Sequence, residues 1–129
     1  MKPKPAADRL VSIVDDDASI RRSTRRFLSS LGLRAEAFGS AAEFLRSGYL
    51  VETDCLLLDL NMPGMGGLDL QRRLAETGSR IPIVFLTARA TEEEEGRALR
   101  AGAVGFLRKP VDQATLLRAI NAALASGPG

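Results

Sequence analysis

The residues best suited to chemistry are three consecutive aspartates, an isolated aspartate, a threonine and a lysine. They are Asp15, Asp16, Asp17, Asp59, Thr87 and Lys109. Two carboxylates about 4 Å apart repel by about 4 kcal/mol at an effective dielectric constant near 20, so a site that gathers three of them needs a compensating cation. The lysine supplies one positive charge, and oxygen-rich ligand sets suit the small, hard Mg²⁺ ion. A fold that brings these groups together therefore predicts a divalent cation site.

Five segments with strand character alternate with five segments of helical character. The predicted strands are residues 10–14, 34–38, 55–59, 81–86 and 104–107, and the predicted helices are residues 18–31, 41–46, 68–77, 92–101 and 112–125. The third and fourth strands are continuously apolar, which is typical of strands buried on both faces of a parallel sheet. Strict alternation of strand and helix predicts an α/β fold, with a parallel sheet and helices on both of its faces.

The polar residues follow the predicted strands, and ligand sites of parallel sheets lie at the carboxyl ends of their strands. All six are therefore expected at one crevice. Each residue alone also has a structural interpretation, because an aspartate after a strand is commonly a helix cap or a turn residue and a threonine can simply end a strand. The set as a whole favours a functional site.

The first predicted helix has an apolar and a basic face. Its core-facing residues are predicted to be Ile20, Phe27, Leu28 and Leu31, and its basic residues are Arg21, Arg22, Arg25 and Arg26. A docking or nucleic-acid surface is one interpretation of the arginines, but a solvated outer face is favoured because charge runs on helices usually face water.

The fourth predicted helix is weakly amphipathic, with only Ala98, Leu99 and Ala101 available for packing. A helix with so little apolar surface can shift. The acidic run 92–95 suits the positive end of the helix dipole, so helix initiation is favoured over a metal cluster. N-caps or first-turn residues are predicted for three helices, at Ser40, Thr91 and Asp112.

Composition narrows the function classes. The 129 residues are 45% hydrophobic and carry a net charge of +2, as expected for one globular domain without a strong electrostatic case for nucleic acid or membrane binding. We predict a domain at residues 9–125 between short arms at 1–8 and 126–129, and a cytosolic location because no apolar run can span a bilayer. Histidine is absent and Cys55 is the only cysteine, which excludes an internal disulfide, histidine acid–base chemistry and a Cys/His zinc site. We interpret Cys55 as a buried structural residue.

Four motifs resemble the receiver domain of bacterial response regulators. They are Val-Asp-Asp-Asp at 14–17, Leu-Asp-Leu-Asn-Met-Pro-Gly at 58–64, Leu-Thr-Ala at 86–88 and Lys-Pro at 109–110. Their order and strand placement agree with that family over residues 9–125. The resemblance implies a doubly wound, flavodoxin-like sheet with strand order 2-1-3-4-5 and five helices. The segment 101–110 is most similar to receivers of the nitrogen-fixation transcription-factor subfamily.

The resemblance also implies the roles of the site residues. Asp59 is then the phosphoryl acceptor, while Asp16, Asp59 and the backbone carbonyl of Asn61 coordinate Mg²⁺, with Asp15 assisting directly or through water. Lys109 neutralises charge on the transferred group. The implied donor is a sensor histidine kinase or a histidine phosphotransfer protein, and Asp17 is an extra acid. The protein is then a signalling phosphoacceptor that catalyses at most its own phosphorylation and dephosphorylation.

The implied output is a switch formed by Thr87 and Phe106. The threonine hydroxyl follows the phosphoryl group, Phe106 fills the vacated space, and the surface of helix four, strand five and helix five changes for partner binding, dimerisation or control of an output domain. Phe106 stands where many relatives have tyrosine, so a hydroxyl contact to a partner is lost. Arg89 and Asn61 lie where they can reach the phosphoryl group, which leaves its lifetime open.

Three other interpretations compete with this one. A haloacid-dehalogenase-like Mg²⁺-dependent phosphatase also uses a strand-end aspartate, but Asn61 replaces the second carboxylate that protonates its leaving group. A dinucleotide-binding loop is disfavoured because Asp69 follows Gly64 and Gly66 where a third glycine is needed. A degenerate, non-phosphorylated receiver that only binds proteins is disfavoured because every expected site residue is present. Whether the chain acts alone or as part of a longer, DNA-binding regulator stays open.

Overall fold

The computed structural model describes residues 5–126, which form one parallel sheet between two layers of helices. The strands are β1 (Leu10–Val14), β2 (Arg34–Phe38), β3 (Thr53–Leu58), β4 (Ile83–Thr87) and β5 (Gly105–Arg108), and the helices are α1 (Ala18–Ser30), α2 (Ala41–Arg46), α3 (Gly67–Glu76), α4 (Glu92–Arg100) and α5 (Gln113–Ala125). A short 3₁₀ helix, Ala6–Asp8, lies within the predicted amino-terminal arm. The outer parts of both predicted arms, residues 1–4 and 127–129, lie outside the described residues.

The strand order is β2-β1-β3-β4-β5 and every pairing is parallel, which confirms the predicted fold class. The central strands β1 and β4 are buried at every position, and β3 is buried at all but one, whereas the edge strands β2 and β5 are partly exposed. Buried strands have no room for unpaired polar side chains along their length. Reactive groups are therefore restricted to the strand ends.

Each face of the sheet has its own apolar core. One core, with Leu58 and Phe85, packs under α2, α3 and α4, and the other, with Leu57, packs under α1 and α5. Cys55 lies in the second core, where burial, with a smaller contribution from Asp54, raises the pKa of its thiol to about 12. Such a thiol stays protonated at neutral pH, as the structural interpretation of Cys55 requires. Within residues 5–126 no helix is both long enough and apolar enough to cross a membrane.

The bounds of three strands differ from the predicted ones, because the hydrogen bonds of neighbouring strands decide which residues belong to a strand. β3 begins at Thr53, whose hydroxyl pairs with that of Ser12 at 2.7 Å, and it ends before Asp59. β4 begins two residues later than predicted because Pro82 has no N–H to donate to a ladder. β5 is displaced by one residue, to Gly105–Arg108.

The helices match their predicted positions to within one residue at each end. Ser40, Thr91 and Asp112 are the N-caps of α2, α4 and α5, as predicted, and Asp112 therefore precedes its helix rather than beginning it. The expectation that Leu31 packs in the core is wrong. It is the C-cap of α1, outside the helical repeat, and it is exposed.

α4 is even less firmly packed than its sequence predicts. Of its residues only Ala98 is buried, and the prediction that Leu99 and Ala101 also pack against the domain is wrong. The side-chain amide of buried Gln71, on α3, donates a hydrogen bond of 2.9 Å to the Ala98 carbonyl. A polar contact therefore helps to hold a helix that has little apolar area to bury.

Candidate functional site

The backbone brings two aspartates together at the carboxyl end of the sheet. The Asp15 N–H donates to the carbonyl of Phe38, at the end of β2, and the Asp59 N–H donates to the carbonyl of Val14, at the end of β1. Both side chains are almost fully buried, with exposures of 3% for Asp15 and 6% for Asp59. Because their main chains are tied to adjacent strands, these two carboxylates are forced into one crevice.

The exposed side chain of Asp16 completes a cluster of three acids. One carboxylate oxygen from each of Asp15, Asp16 and Asp59 lies within 4.8 Å of the others. Lys109, which follows β5, donates from Nζ to Oδ2 of Asp15 at 2.8 Å. One ammonium group therefore faces three carboxylates, and the site retains an excess of negative charge.

The environment of Asp59 opposes ionisation of its carboxyl group. Burial raises the pKa of Asp59 above its ordinary value of 3.8, and Asp15 raises it further, whereas Lys109 and the Asn61 N–H lower it. Converging hard oxygen donors with unbalanced negative charge are what a small divalent cation needs. The donor set therefore fits Mg²⁺, which would relieve the repulsion that the protein alone leaves.

Asp15 and Asp59 differ in how fully their carboxylates are bonded. Oδ1 of Asp15 accepts the Asp17 N–H at 2.9 Å, and Oδ2 accepts the Lys109 ammonium. Among the described residues, Asp59 accepts only one hydrogen bond, a long one of 3.4 Å from the Asn61 N–H. Asp15 is thus held through both of its oxygens, whereas Asp59 has one oxygen without a hydrogen bond from the described residues.

Thr87 and Asn61 share a single backbone acceptor next to the crevice. The buried Thr87 hydroxyl donates to the Arg89 carbonyl at 3.0 Å, and Nδ2 of Asn61 donates to the same carbonyl at 2.5 Å. The Asn61 amide also lies 3.4 Å from the Thr87 oxygen. These contacts fix the loop after β4, so a change in the position of the threonine hydroxyl would release one of its anchors.

Phe106 lies on β5 beside the buried Phe85, with ring centroids 5.7 Å apart. It is partly buried and packs against the core under α4. The Arg108 guanidinium lies 5.6 Å from the Phe106 ring centroid and donates to the Ala90 carbonyl at 2.8 Å and to Glu95 at 2.8 Å. Phe106 is therefore packed between the core and a side chain that joins β5 to α4.

The glycine-containing loop after Asp59 serves the fold. A Cβ added to Gly67 would lie 2.4 Å from the Asp59 carbonyl oxygen and 2.9 Å from Cα of Leu60, so the start of α3 can approach the site only without a side chain there. Gly64 has φ +76°, a conformation that favours glycine. The loop therefore positions Asp59 through its backbone.

Two residues near the acids have roles other than those favoured from the sequence, and the expectation that Asp17 joins the crevice is wrong. Asp17 is the N-cap of α1 and accepts the N–H groups of Ser19 and Ile20, at 2.8 and 3.3 Å, rather than joining the acidic cluster. Arg21, predicted to lie on the solvated basic face, donates from Nη1 to the Asp15 carbonyl at 2.8 Å. Its position in the first turn is the available signal, because helical side chains lean towards the amino terminus.

Comparisons with known proteins are consistent across sequence and structure. A family model described as response regulator receiver domain matches residues 11–121. The chain is 40% identical over 119 residues to Response regulator protein TmoT of Ectopseudomonas mendocina, covering 92% of this chain and 54% of that protein. It is 45% identical over 114 residues to Nodulation protein W of Bradyrhizobium diazoefficiens, covering 88% and 50%.

Among solved structures, the crystal structure of FixJ-N matches with a TM-score of 0.84 and 31% sequence identity. The match covers 95% of this chain and 98% of that one. The chain spans about half the length of the curated relatives it matches.

Proposed function

Since the chain belongs to the response regulator receiver domain family of two-component systems, as its motifs predict, we propose that it accepts a phosphoryl group on Asp59 in a Mg²⁺-dependent step. The observation that supports this proposal most directly is the difference in hydrogen bonding between the two buried acids, Asp15 and Asp59. Both oxygens of Asp15 are hydrogen-bonded, whereas Asp59 accepts one long hydrogen bond and keeps an oxygen free, and burial raises the pKa of Asp59. Family membership also favours this function over a haloacid-dehalogenase-like phosphatase.

The acidic cluster would hold the cation through Asp16, Asp59 and the backbone carbonyl of Asn61, with Asp15 assisting directly or through water. Bound there, Mg²⁺ supplies positive charge that offsets the charge on the phosphoryl oxygens. An Asp59 carboxylate oxygen attacks phosphorus as the phosphorus–nitrogen bond of a donor phosphohistidine breaks, and the departing imidazole retains the bonding electrons and takes up a proton. Lys109, whose ammonium already reaches Asp15 in the crevice, would neutralise charge on the oxygens of the transferred group.

The proposed output begins at Thr87. Its hydroxyl now donates to the Arg89 carbonyl, and a phosphoryl oxygen on Asp59 would compete for that hydrogen bond. Inward movement of Thr87 frees the loop after β4, and Phe106 turns into the space that opens behind it. The surface formed by α4, β5 and α5 then changes, which suits the single buried residue of α4.

The proposed partners follow from this role. A sensor histidine kinase or a histidine phosphotransfer protein supplies the phosphoryl group, and an output domain, a downstream protein or a second phosphorylated copy reads the altered surface. We place the domain in the cytoplasm, without direct binding of nucleic acid or membrane. Its chemistry is limited to its own phosphorylation and dephosphorylation, so it acts as a signalling phosphoacceptor rather than as an enzyme.

The test is intact-mass spectrometry after incubation with acetyl phosphate, with and without Mg²⁺. The wild type is expected to gain one phosphoryl group only with Mg²⁺, and Asp59→Asn is expected to gain none. Asp8→Asn is the matched control, because Asp8 is exposed and precedes β1, at the end of the strands opposite the crevice. Acetyl phosphate consumption is followed in parallel to detect rapid turnover. Labelled Asp59→Asn, or a wild type that neither gains mass nor consumes the donor, would overturn the proposal; the second result favours a non-phosphorylated receiver.

A further inference from the structure

The exposed acid of the cluster, Asp16, has no buried environment to orient its side chain. Its direction therefore depends on the two peptide groups that flank its Cα. The carbonyl of the preceding peptide, that of Asp15, accepts a 2.8 Å hydrogen bond from Nη1 of Arg21. The N–H of the following peptide, that of Asp17, donates to Oδ1 of Asp15 at 2.9 Å. Both peptide planes beside Asp16 are thus held by side chains.

Only one of these two hydrogen bonds comes from a side chain outside the acidic cluster. The one from Asp17 depends on Asp15, which is itself held by Lys109. The one from Arg21 comes from α1, which is outside the cluster and is anchored by its own N-cap. Arg21 therefore supplies the only restraint on the Asp15–Asp16 peptide plane, among the described residues, that does not come from a member of the site.

Arg21 is itself confined by the loop between β2 and α2. A Cβ added to Gly39 would lie 3.4 Å from Nη1 of Arg21 and 3.3 Å from Oε2 of Glu43. That Glu43 oxygen accepts the Gly39 N–H at 2.7 Å, which keeps the loop in place. The guanidinium thus occupies a defined slot, and Arg21 is partly buried while the adjacent Arg22 is exposed.

We infer that Arg21 is a positioning residue for the divalent cation site. By holding the Asp15 carbonyl it fixes the Asp15–Asp16 peptide plane and so aims the Asp16 carboxylate at the crevice. This inference rests on the proposed function, because it assumes that the acidic cluster binds Mg²⁺. Residues that orient metal ligands typically change metal affinity by about 10- to 100-fold when they are replaced.

The direction in which Mg²⁺ affinity changes when Arg21 is replaced distinguishes a positioning role from an effect of its charge alone. A positive charge near a cation site repels the cation, so removal of an arginine for its charge alone would strengthen Mg²⁺ binding. Removal of a positioning residue weakens it. Arg22 is the matched control, because Arg22→Met on the same helix removes the same charge without touching the Asp15 carbonyl.

The experiment is an NMR titration of ¹⁵N-labelled, unphosphorylated protein with MgCl₂, following the amide signals of Asp16 and Asp17. Arg21→Met, which keeps an apolar stem, is expected to raise the Kd by about tenfold. Arg22→Met is expected to change it by less than about twofold, since an exposed charge is screened. Arg21→Lys, which can still donate one hydrogen bond, is expected to recover part of the affinity.

Two further readouts exclude a general loss of structure. The Asp16 amide ¹⁵N shift is expected to move in Arg21→Met before Mg²⁺ is added, because the hydrogen bond to its own peptide carbonyl is lost, and Tm without Mg²⁺ is measured for each variant. If Arg21→Met does not fold, Arg21→Gln takes its place in the same comparison. Equal Kd values for the Arg21 and Arg22 variants would overturn the inference. A wild type that shows no Mg²⁺-dependent shifts would instead overturn the proposed function.

Discussion

Lys109 and Arg108 are consecutive residues at the end of β5, and each forms an ion pair with an N–O distance of 2.8 Å. The Lys109–Asp15 pair lies in the acidic crevice, with side-chain exposures of 16% and 4%, whereas Arg108–Glu95 lies on the α4 surface, with exposures of 46% and 36%. The two pairs have equal distances but different energies of interaction. Water screens the exposed pair and can replace either partner, whereas burial keeps water away from the pair in the crevice.

The two regions are built for different tasks. In the crevice the carboxylates follow the ends of buried strands. The backbone N–H and both carboxylate oxygens of Asp15, for example, form hydrogen bonds. On the α4 surface the helix buries one alanine and is otherwise held by polar contacts from Gln71 and Arg108. Such contacts cost little to break, so the crevice suits a rigid chemical site and the α4 surface suits a movable one.

The largest expected change is a loss of stability when the partly buried ammonium group of Lys109 is removed. Lys109→Met leaves three facing carboxylates without their ammonium partner, and breaking one side of a buried pair costs about 3 kcal/mol. Urea denaturation without Mg²⁺ measures this loss, and saturating Mg²⁺ is expected to recover part of it through binding to the folded state. A loss no larger than that of Arg108→Met would contradict the contrast between the two pairs.

Asp59→Asn is expected to increase the stability of the folded protein, by less than Lys109→Met decreases it. The folded-state pKa of Asp59 lies above its ordinary value of 3.8, so the folded protein holds this proton more tightly than the unfolded chain. Stability from this group is therefore present at low pH and is lost as pH rises through the window above 3.8. The neutral asparagine avoids that loss, so Asp59→Asn is expected to raise the free energy of unfolding at neutral pH without Mg²⁺.

The pH dependence tests the cause of that gain. The difference between Asp59→Asn and wild type is expected to shrink as pH falls below the ordinary carboxyl pKa, where Asp59 is protonated in both states. Asp8→Asn, which removes an exposed carboxylate before β1, serves as the control. A gain that is independent of pH would show that charge on Asp59 is not its origin.

A local loss of stability, confined to α4, is expected when the hydrogen bond from Gln71 is removed. Gln71→Met keeps the side-chain volume but removes the hydrogen bond to the Ala98 carbonyl, at a cost of about 1 kcal/mol. Hydrogen exchange measured by NMR is expected to accelerate in α4 and not in β3. Gln113→Met, at the exposed start of α5, is the control. Equal acceleration in both elements would mean that Gln71 supports the whole domain rather than this helix.

The smallest expected effect is that of Arg108→Met. Its pair with Glu95 is exposed, so the free energy of unfolding is expected to fall by less than about 1 kcal/mol. The difference from wild type should diminish at high salt. The loop after β4, which loses the hydrogen bond to the Ala90 carbonyl, is expected to exchange faster. A loss that persists undiminished in concentrated salt would assign the effect to packing on Phe106.

Much of the fold follows from local chemistry. Apolar runs and amphipathic repeats are properties of neighbouring residues, so the five strands, the five helices and the caps at Ser40, Thr91 and Asp112 were predictable within one or two residues at each end. The strand boundaries were less accurate, because a strand ends where its neighbour stops supplying hydrogen bonds. Asp59 illustrates this, because the registers of β3 with β1 and with β4 both end at Leu58. Pro82 is a different case, since its lack of an N–H is a property of the residue itself.

The sequence by itself determined which acids, threonine and lysine stand at the carboxyl ends of the strands. The tertiary structure decided how the acids divide the work. Lys109, 94 positions along the chain from Asp15, completes the hydrogen bonding of Asp15, whereas Asp59 is left with a free oxygen. The contacts of Asp17 and Arg21 are local, but the slot that confines the Arg21 guanidinium is formed by the loop at Gly39. The reason is physical: residue type and spacing set the end of the sheet at which a group lies, but only packing sets the distance between groups on different strands.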